Sequence, residues 1–176
     1  MRPRNRLTLV LACVLVLLPG LLFPEDVRAD MRFVLTPFAG IENGGEAFGG
    51  NLRLFFLPNL GVETDAGIGE SICQDCRLSE TTFTANLVYE IHPVTRLSFF
   101  VLTGSGVGLA DLSSPESARA TLGVWDIGLG SSLRLIRHVA LTIENRWFLP
   151  ISGAIPGVSG GAPGIDRLTL GISTSF

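Results

Sequence analysis

From residue 32 onward, large apolar side chains and small or polar ones trade places at every second position. The stretch Arg167 to Phe176, "RLTLGISTSF", is the plainest case: Leu168, Leu170, Ile172 and Phe176 fall on one side, and Thr169, Gly171, Ser173 and Ser175 on the other. Two is the period of a strand. Eight such runs follow one another, at roughly 32–41, 51–57, 60–69, 83–91, 96–109, 121–134, 139–149 and 165–176, and helical spacing is absent from all of them. The connections alternate in length: long at 42–50, 70–82, 110–120 and 150–164, short at 58–59, 92–95 and 135–138. An up-and-down meander with two unlike ends is the layout of an antiparallel barrel that threads a membrane. The expected fold is therefore all-β, an eight-stranded antiparallel up-and-down transmembrane barrel, with both strand termini on the short-turn side.

The apolar face decides which kind of barrel this is, because a soluble barrel is apolar inside and a membrane barrel is apolar outside. One parity collects Leu52, Leu54 and Phe56; Phe83, Leu87, Tyr89 and Ile91; Phe99 and Val101; Trp125, Ile127 and Leu129; Leu141, Ile143 and Trp147. The other holds Arg53, Glu63, Asp65, Asn86, Glu90, Arg96, Ser98, Asp126, Arg134, Glu144 and Arg146, with Arg32 and Arg167 in step. Charges placed mid-strand between large apolar neighbours belong in a lumen, where they persist only if paired and hydrogen-bonded. The expectation is a nearly charge-balanced ion network of Arg53, Glu63, Asp65, Glu90, Arg96, Asp126, Arg134, Glu144 and Arg146.

The first 29 residues read as an address. Arg2, Arg4 and Arg6 precede an apolar stretch, and Val27-Arg28-Ala29 offers a signal-peptidase site, so cleavage is expected after Ala29 with the barrel at 30–176. A retained anchor and a lipobox ending at Cys13 are the competing readings. The chain has no lysine, and beyond residue 29 nine arginines face 14 acids, about −5. Phosphate binding along a nucleic acid wants a basic surface, so no nucleic-acid partner is expected. Export leaves Cys73 and Cys76 in an oxidising compartment, where a loop disulfide is the expected state and redox or zinc roles are the alternatives. The long loops carry Glu42, Glu46, Glu70, Asp75, Glu80, Asp111 and Glu116 against Arg77 and Arg119, an acidic exterior facing an unknown external ligand.

The alternation ending in Phe176, together with "LGSSLRLIRHVALTIENRWFL" and its Glu144-Asn145-Arg146-Trp147, resembles the small outer-membrane β-barrel (OmpA-like) family. The resemblance covers the mature chain in layout and the last two hairpins in motif. It implies an integral barrel of the bacterial outer membrane, bathed by membrane lipid and lipopolysaccharide. It also implies insertion by the barrel assembly machinery, which in this family reads a terminal strand ending in an aromatic, here Phe176. No peptidoglycan-binding domain is expected after the barrel.

Candidate chemistry is sparse. The lipid A deacylase barrels use a His-x-Ser-Asn motif with a Glu, a base, nucleophile and orienter arrangement. Here His138 is followed by Val139 and Ala140, and His92 by Pro93 and Val94. Glu63 and Asp65 share a face as an acid and base pair would, but an ion network accounts for them too. Glycines at 104, 106, 108, 123, 128 and 130 precede no helix, which phosphate loops require, and serve strand curvature instead. Eight strands leave an interior that side chains just fill. The expectation is a non-enzymatic barrel with a structural or interaction role and no cofactor, and the alternative is a lipid-modifying barrel enzyme.

Overall fold

The computed structural model describes residues 31–73, 76–113, 118–153 and 164–176, with side chains throughout except at 71–77 and 112–118. The expected leader lies outside the described residues. Eight strands follow in order: β1 (Arg32–Glu42), β2 (Gly45–Phe55), β3 (Leu60–Cys73), β4 (Cys76–Val94), β5 (Leu97–Ser113), β6 (Ala118–Ile136), β7 (Val139–Ser152) and β8 (Ile165–Ser175). Each pairs antiparallel with the next, and β8 returns to β1 to close the barrel. Phe176 and Phe33 complete the seam by exchanging backbone hydrogen bonds at 3.0 and 3.4 Å. Closure pairs the edges that an open sheet would expose, as a hydrocarbon environment demands.

Alternation decides what each face meets. Leu168, Leu170 and Ile172 point outward with Ile127, Leu129, Val101 and Leu87 from other strands, whereas Thr169, Gly171 and Ser173 point into the lumen. A band of large apolar side chains therefore surrounds a polar interior, the arrangement that lipid rather than water stabilises.

In three of the four connections expected to be long loops, most of the described residues are strand. The β1–β2 connection is just Asn43 and Gly44, both at positive φ (46° and 86°), the mirror-image turn that the right-handed twist of a hairpin selects. Residues 70–73, 76–82, 110–113 and 118–120 continue the ladders of β3 to β6. Turn-forming residue types favour loops in these segments, but cross-strand pairing overrides that local preference. The strands β4 and β6 run to 19 residues and β5 to 17, beyond the roughly 9 to 11 a tilted strand needs to cross the hydrocarbon. One wall of the barrel thus rises past the apolar band, away from the short turns.

Inward apolar residues gather in two plugs. Leu78, Ala110, Leu122, Val124, Phe148 and Ile165 form one toward the long-strand end. The other, Phe55, Val88, Phe100 and Leu102 with Val34 against it, lies toward the short turns. Between them sits the charged layer.

Candidate functional site

Arg146 on β7 organises that layer. Its Nε donates to Glu144 and its Nη2 to Glu63, its Nη1 donates to Asp126 at 2.8 Å, and Asp65 Oδ2 lies 3.7 Å from Nη2. The residue is 2% exposed, so these carboxylates stand in place of its hydration shell. Arg53 on β2 completes the ring, donating to Glu63 at 2.6 Å and to Glu144 at 2.5 Å while its guanidinium lies 3.8 Å from the centre of the Phe100 ring. Asn86 and Thr84 on β4 donate to Asp126, each at 2.8 Å. Residues from five strands (β2, β3, β4, β6 and β7) meet here because each occupies an inward position at the same depth.

A second centre, nearer the long-strand end, is built on Arg167 of β8. It donates to Glu42 at 2.5 Å, to Thr82 at 2.8 Å and to Asp65 at 3.3 Å, so Asp65 links the two arginine centres. Bare backbone makes room for it: a Cβ at Gly67 would overlap the Arg167 guanidinium, and one at Gly69 the Glu42 carboxylate. Toward the short turns a hydroxyl row crosses four strands, from Thr36 to Ser173 (2.8 Å), Thr142 (2.5 Å) and Ser132 (2.8 Å).

The structure brings together Arg53, Glu63, Asp65, Asp126, Glu144 and Arg146. Glu90 is also buried, but it sits at the short-turn mouth, bonded to Arg32 with His92 Nε2 at 3.6 Å. Two assignments to the network are corrected. Arg96 and Arg134 have the expected inward parity, yet both lie at the barrel's rim, exposed and without an ion pair among the described residues. Conversely, Glu42 and Glu80, expected in an acidic exterior, are buried in the lumen. The signal for them was the alternation running on past residue 41 and beginning before residue 83, with Leu78, Glu80 and Thr82 in step.

The balance inside changes accordingly. Among the described residues, and apart from Glu90 at the mouth with its partner Arg32, six lumen carboxylates (Glu42, Glu63, Asp65, Glu80, Asp126 and Glu144) face three buried arginines. Four of these carboxylates keep an oxygen without a hydrogen bond, Glu42 Oε1, Asp65 Oδ2, Glu80 Oε2 and Asp126 Oδ1, as do the amide oxygens of Asn51 and Asn86. No cluster of three or more His, Cys, Asp or Glu suited to a metal ion occurs among the described residues.

The chemistry these groups can do follows from their partners. Glu63 is held by two arginines, which leaves it an ion-pair member rather than a free base. His138 lies at the β6–β7 turn, where its carbonyl accepts from Ser175 N at 2.9 Å. Cys73 and Cys76 stand opposite one another in the β3–β4 ladder, and their side chains, with the disulfide expected of them, lie outside the described residues. Among the acids and arginines assigned to loops, Asp75, Arg77 and Glu116 lie outside in the same way. Asp111 and Arg119 pair at 2.6 Å on the exposed wall.

No family model matches the chain, and no curated protein matches it. Among solved structures it is similar to the N-terminal β-barrel domain of Pseudomonas aeruginosa OprF, at 15% identity and a TM-score of 0.60 over 82% of this chain and 97% of that one. Neisserial surface protein A matches at 12% identity and 0.60, covering 83% and 96%. A major outer membrane protein from Thermus thermophilus matches at 18% and 0.57, covering 84% and 100%.

Proposed function

Starting from the fold of a small outer-membrane β-barrel, which this chain has, we propose that it serves as a non-enzymatic, solute-tight barrel acting through the wall that rises beyond the bilayer. The observation that carries this reading is the filled lumen. An apolar plug, an arginine-centred ion layer and a second apolar plug occupy the barrel axis in succession, and Arg146, Glu63 and Asp126 are buried among them. Such an interior rigidifies a scaffold and leaves no room for a diffusing solute.

The extended strands β3 to β6 then supply the surface that meets an external ligand. Surrounding lipid, and lipopolysaccharide in the outer leaflet, contact the apolar band. The final ring, Phe176, is exposed beside the β1–β8 seam, a position suited to the assembly machinery's reading of the last strand. Removal of the leader after Ala29 precedes all of this.

Refolded protein in a planar bilayer should give no stable conductance steps, and folded and boiled samples should migrate differently on a gel. Incubation with labelled lipopolysaccharide should release no acyl chains. Steady single-channel currents would overturn the solute-tight reading, and released acyl chains the non-enzymatic one. Deleting Phe176 should slow insertion in cells, and mass spectrometry of the mature chain should find Asp30 at its start.

A further inference from the structure

The charges exposed at the two ends of the barrel differ in kind. Toward the long strands stand Glu46, Asp166 and the Asp111–Arg119 pair, whereas the short-turn end carries arginines. Arg32, Arg96, Arg134 and Arg137 surround a cavity of about 60 Å³ at that mouth, with His92 and His138 beside them. Five pieces of chain converge to make it: the start of β1, the end of β2, the β4–β5 turn, the β6–β7 turn and the end of β8. Their relative placement is held by the backbone, since Arg134 N donates to Arg96 O at 2.7 Å and Ser175 N to His138 O at 2.9 Å.

The one carboxylate on the cavity wall, Glu90, is already engaged by Arg32. Arg96, Arg134 and Arg137 have no ion pair among the described residues, so three guanidinium groups at one opening lack a counter-charge. Ser98, Ser132 and Ser173 also line the cavity, Ser132 and Ser173 as members of the hydroxyl row. Guanidinium forks beside a hydroxyl match a tetrahedral oxyanion, which offers several acceptor oxygens to donors fixed in planar pairs. The volume admits one such group with some of its water.

From this geometry we infer that the short-turn mouth is a binding site for a phosphate group, held by Arg96, Arg134 and Arg137, with the Ser98 hydroxyl on the same cavity wall as a further donor. A phosphate can arrive on a small soluble molecule or on a lipid headgroup. The second source is within reach because the hairpins that carry the arginines also carry outward apolar side chains. Val94, Leu135 and Ile136 are all more than half exposed, and the ladders shift register beside them, between Ile91 and Val94 and between Arg134 and Ile136.

The test uses the full barrel folded in a maltoside detergent free of phosphate, with inorganic phosphate as the probe and arginine Nε resonances and calorimetry as readouts. Wild type should show saturable binding. The triple variant Arg96→Gln, Arg134→Gln, Arg137→Gln should lose at least about tenfold in affinity, the scale of one charge-assisted hydrogen bond. Arg119→Gln, at the other end, should bind as wild type does. Heat-dependent gel mobility checks that each variant is folded, and Arg137→Gln alone, in a turn, serves if the triple variant does not fold.

A second arm compares vesicles of phosphatidylcholine with and without phosphatidylglycerol, following the same resonances. A response to both inorganic phosphate and phosphatidylglycerol supports the site for phosphate as a group. A response only to phosphatidylglycerol, abolished in the variant, assigns it to headgroups; a response only to inorganic phosphate assigns it to a soluble ligand. Shifts that never saturate, that chloride at equal ionic strength reproduces, or that are the same in the variant overturn the proposal.

Discussion

Arg146 on β7 and Arg134 on β6 share a residue type, an inward parity and adjacent strands, yet they live in different chemical worlds. Arg146 is wrapped by carboxylates from Glu63, Asp126 and Glu144 and is 2% exposed, whereas Arg134 is open at the rim with no ion pair among the described residues. Depth along the barrel axis makes the difference. Mid-barrel, a guanidinium survives because fixed carboxylates replace its water, and its removal strands them. At the rim water does that work, and the charge is left free to meet something that comes from outside. The same residue is structural in one layer and available in another.

The largest expected effect tests the buried side of this contrast. Arg146→Ala would leave Glu63, Asp126 and Glu144 short of a counter-charge in a lumen already rich in acid, costing about 3 to 5 kcal/mol or preventing folding. Arg134→Ala should stay within about 0.5 kcal/mol of wild type. Urea unfolding in detergent or liposomes, followed by tryptophan fluorescence, checks both, and equal midpoints would erase the distinction between layer and rim.

Next in size is a charge placed on the outer face at comparable depth. Leu170 is 54% exposed and pairs with Ala39 and Ile143, so Leu170→Arg should cost roughly 2 to 4 kcal/mol if it sits near the bilayer midplane. The penalty should be larger in liposomes than in a detergent that wraps around the charge. A penalty of the same size in both would put Leu170 outside the hydrocarbon.

A smaller loss is expected from Glu144→Gln, although Glu144 touches both Arg53 and Arg146. Six carboxylates face three arginines, so removing one negative charge relieves repulsion while weakening two charge-assisted hydrogen bonds. We expect about 1 to 2 kcal/mol, well below Arg146→Ala. A cost equal to that of the arginine would mean that the lumen is charge-balanced after all.

The least effect belongs to the wall. Asp111→Asn removes a surface pair whose side chains are more than half exposed, and the change should be below about 1 kcal/mol and fade with added salt. A loss that persists at high salt would make the Asp111–Arg119 pair part of a docked structure on the wall.

What could be read from the chain alone was parity and count. Strand period is local, set by the geometry of one backbone, so the faces of Leu168, Leu170, Thr169 and Ser173, the eight strands and their antiparallel order all stand in the alternation itself. Depth could not be read there. Arg96 and Arg134 carry the same inward mark as Arg53 and Arg146, and Glu42 and Glu80 sit among residues whose types suggest turns. Where each lies along the axis depends on how far the ladders of β1 and of β3 to β6 continue and on the stagger with which eight strands close on one another. That stagger is a property of all the pairings together, and it alone brought Arg146 among its carboxylates, Arg167 to Glu42, and three arginines to an open mouth.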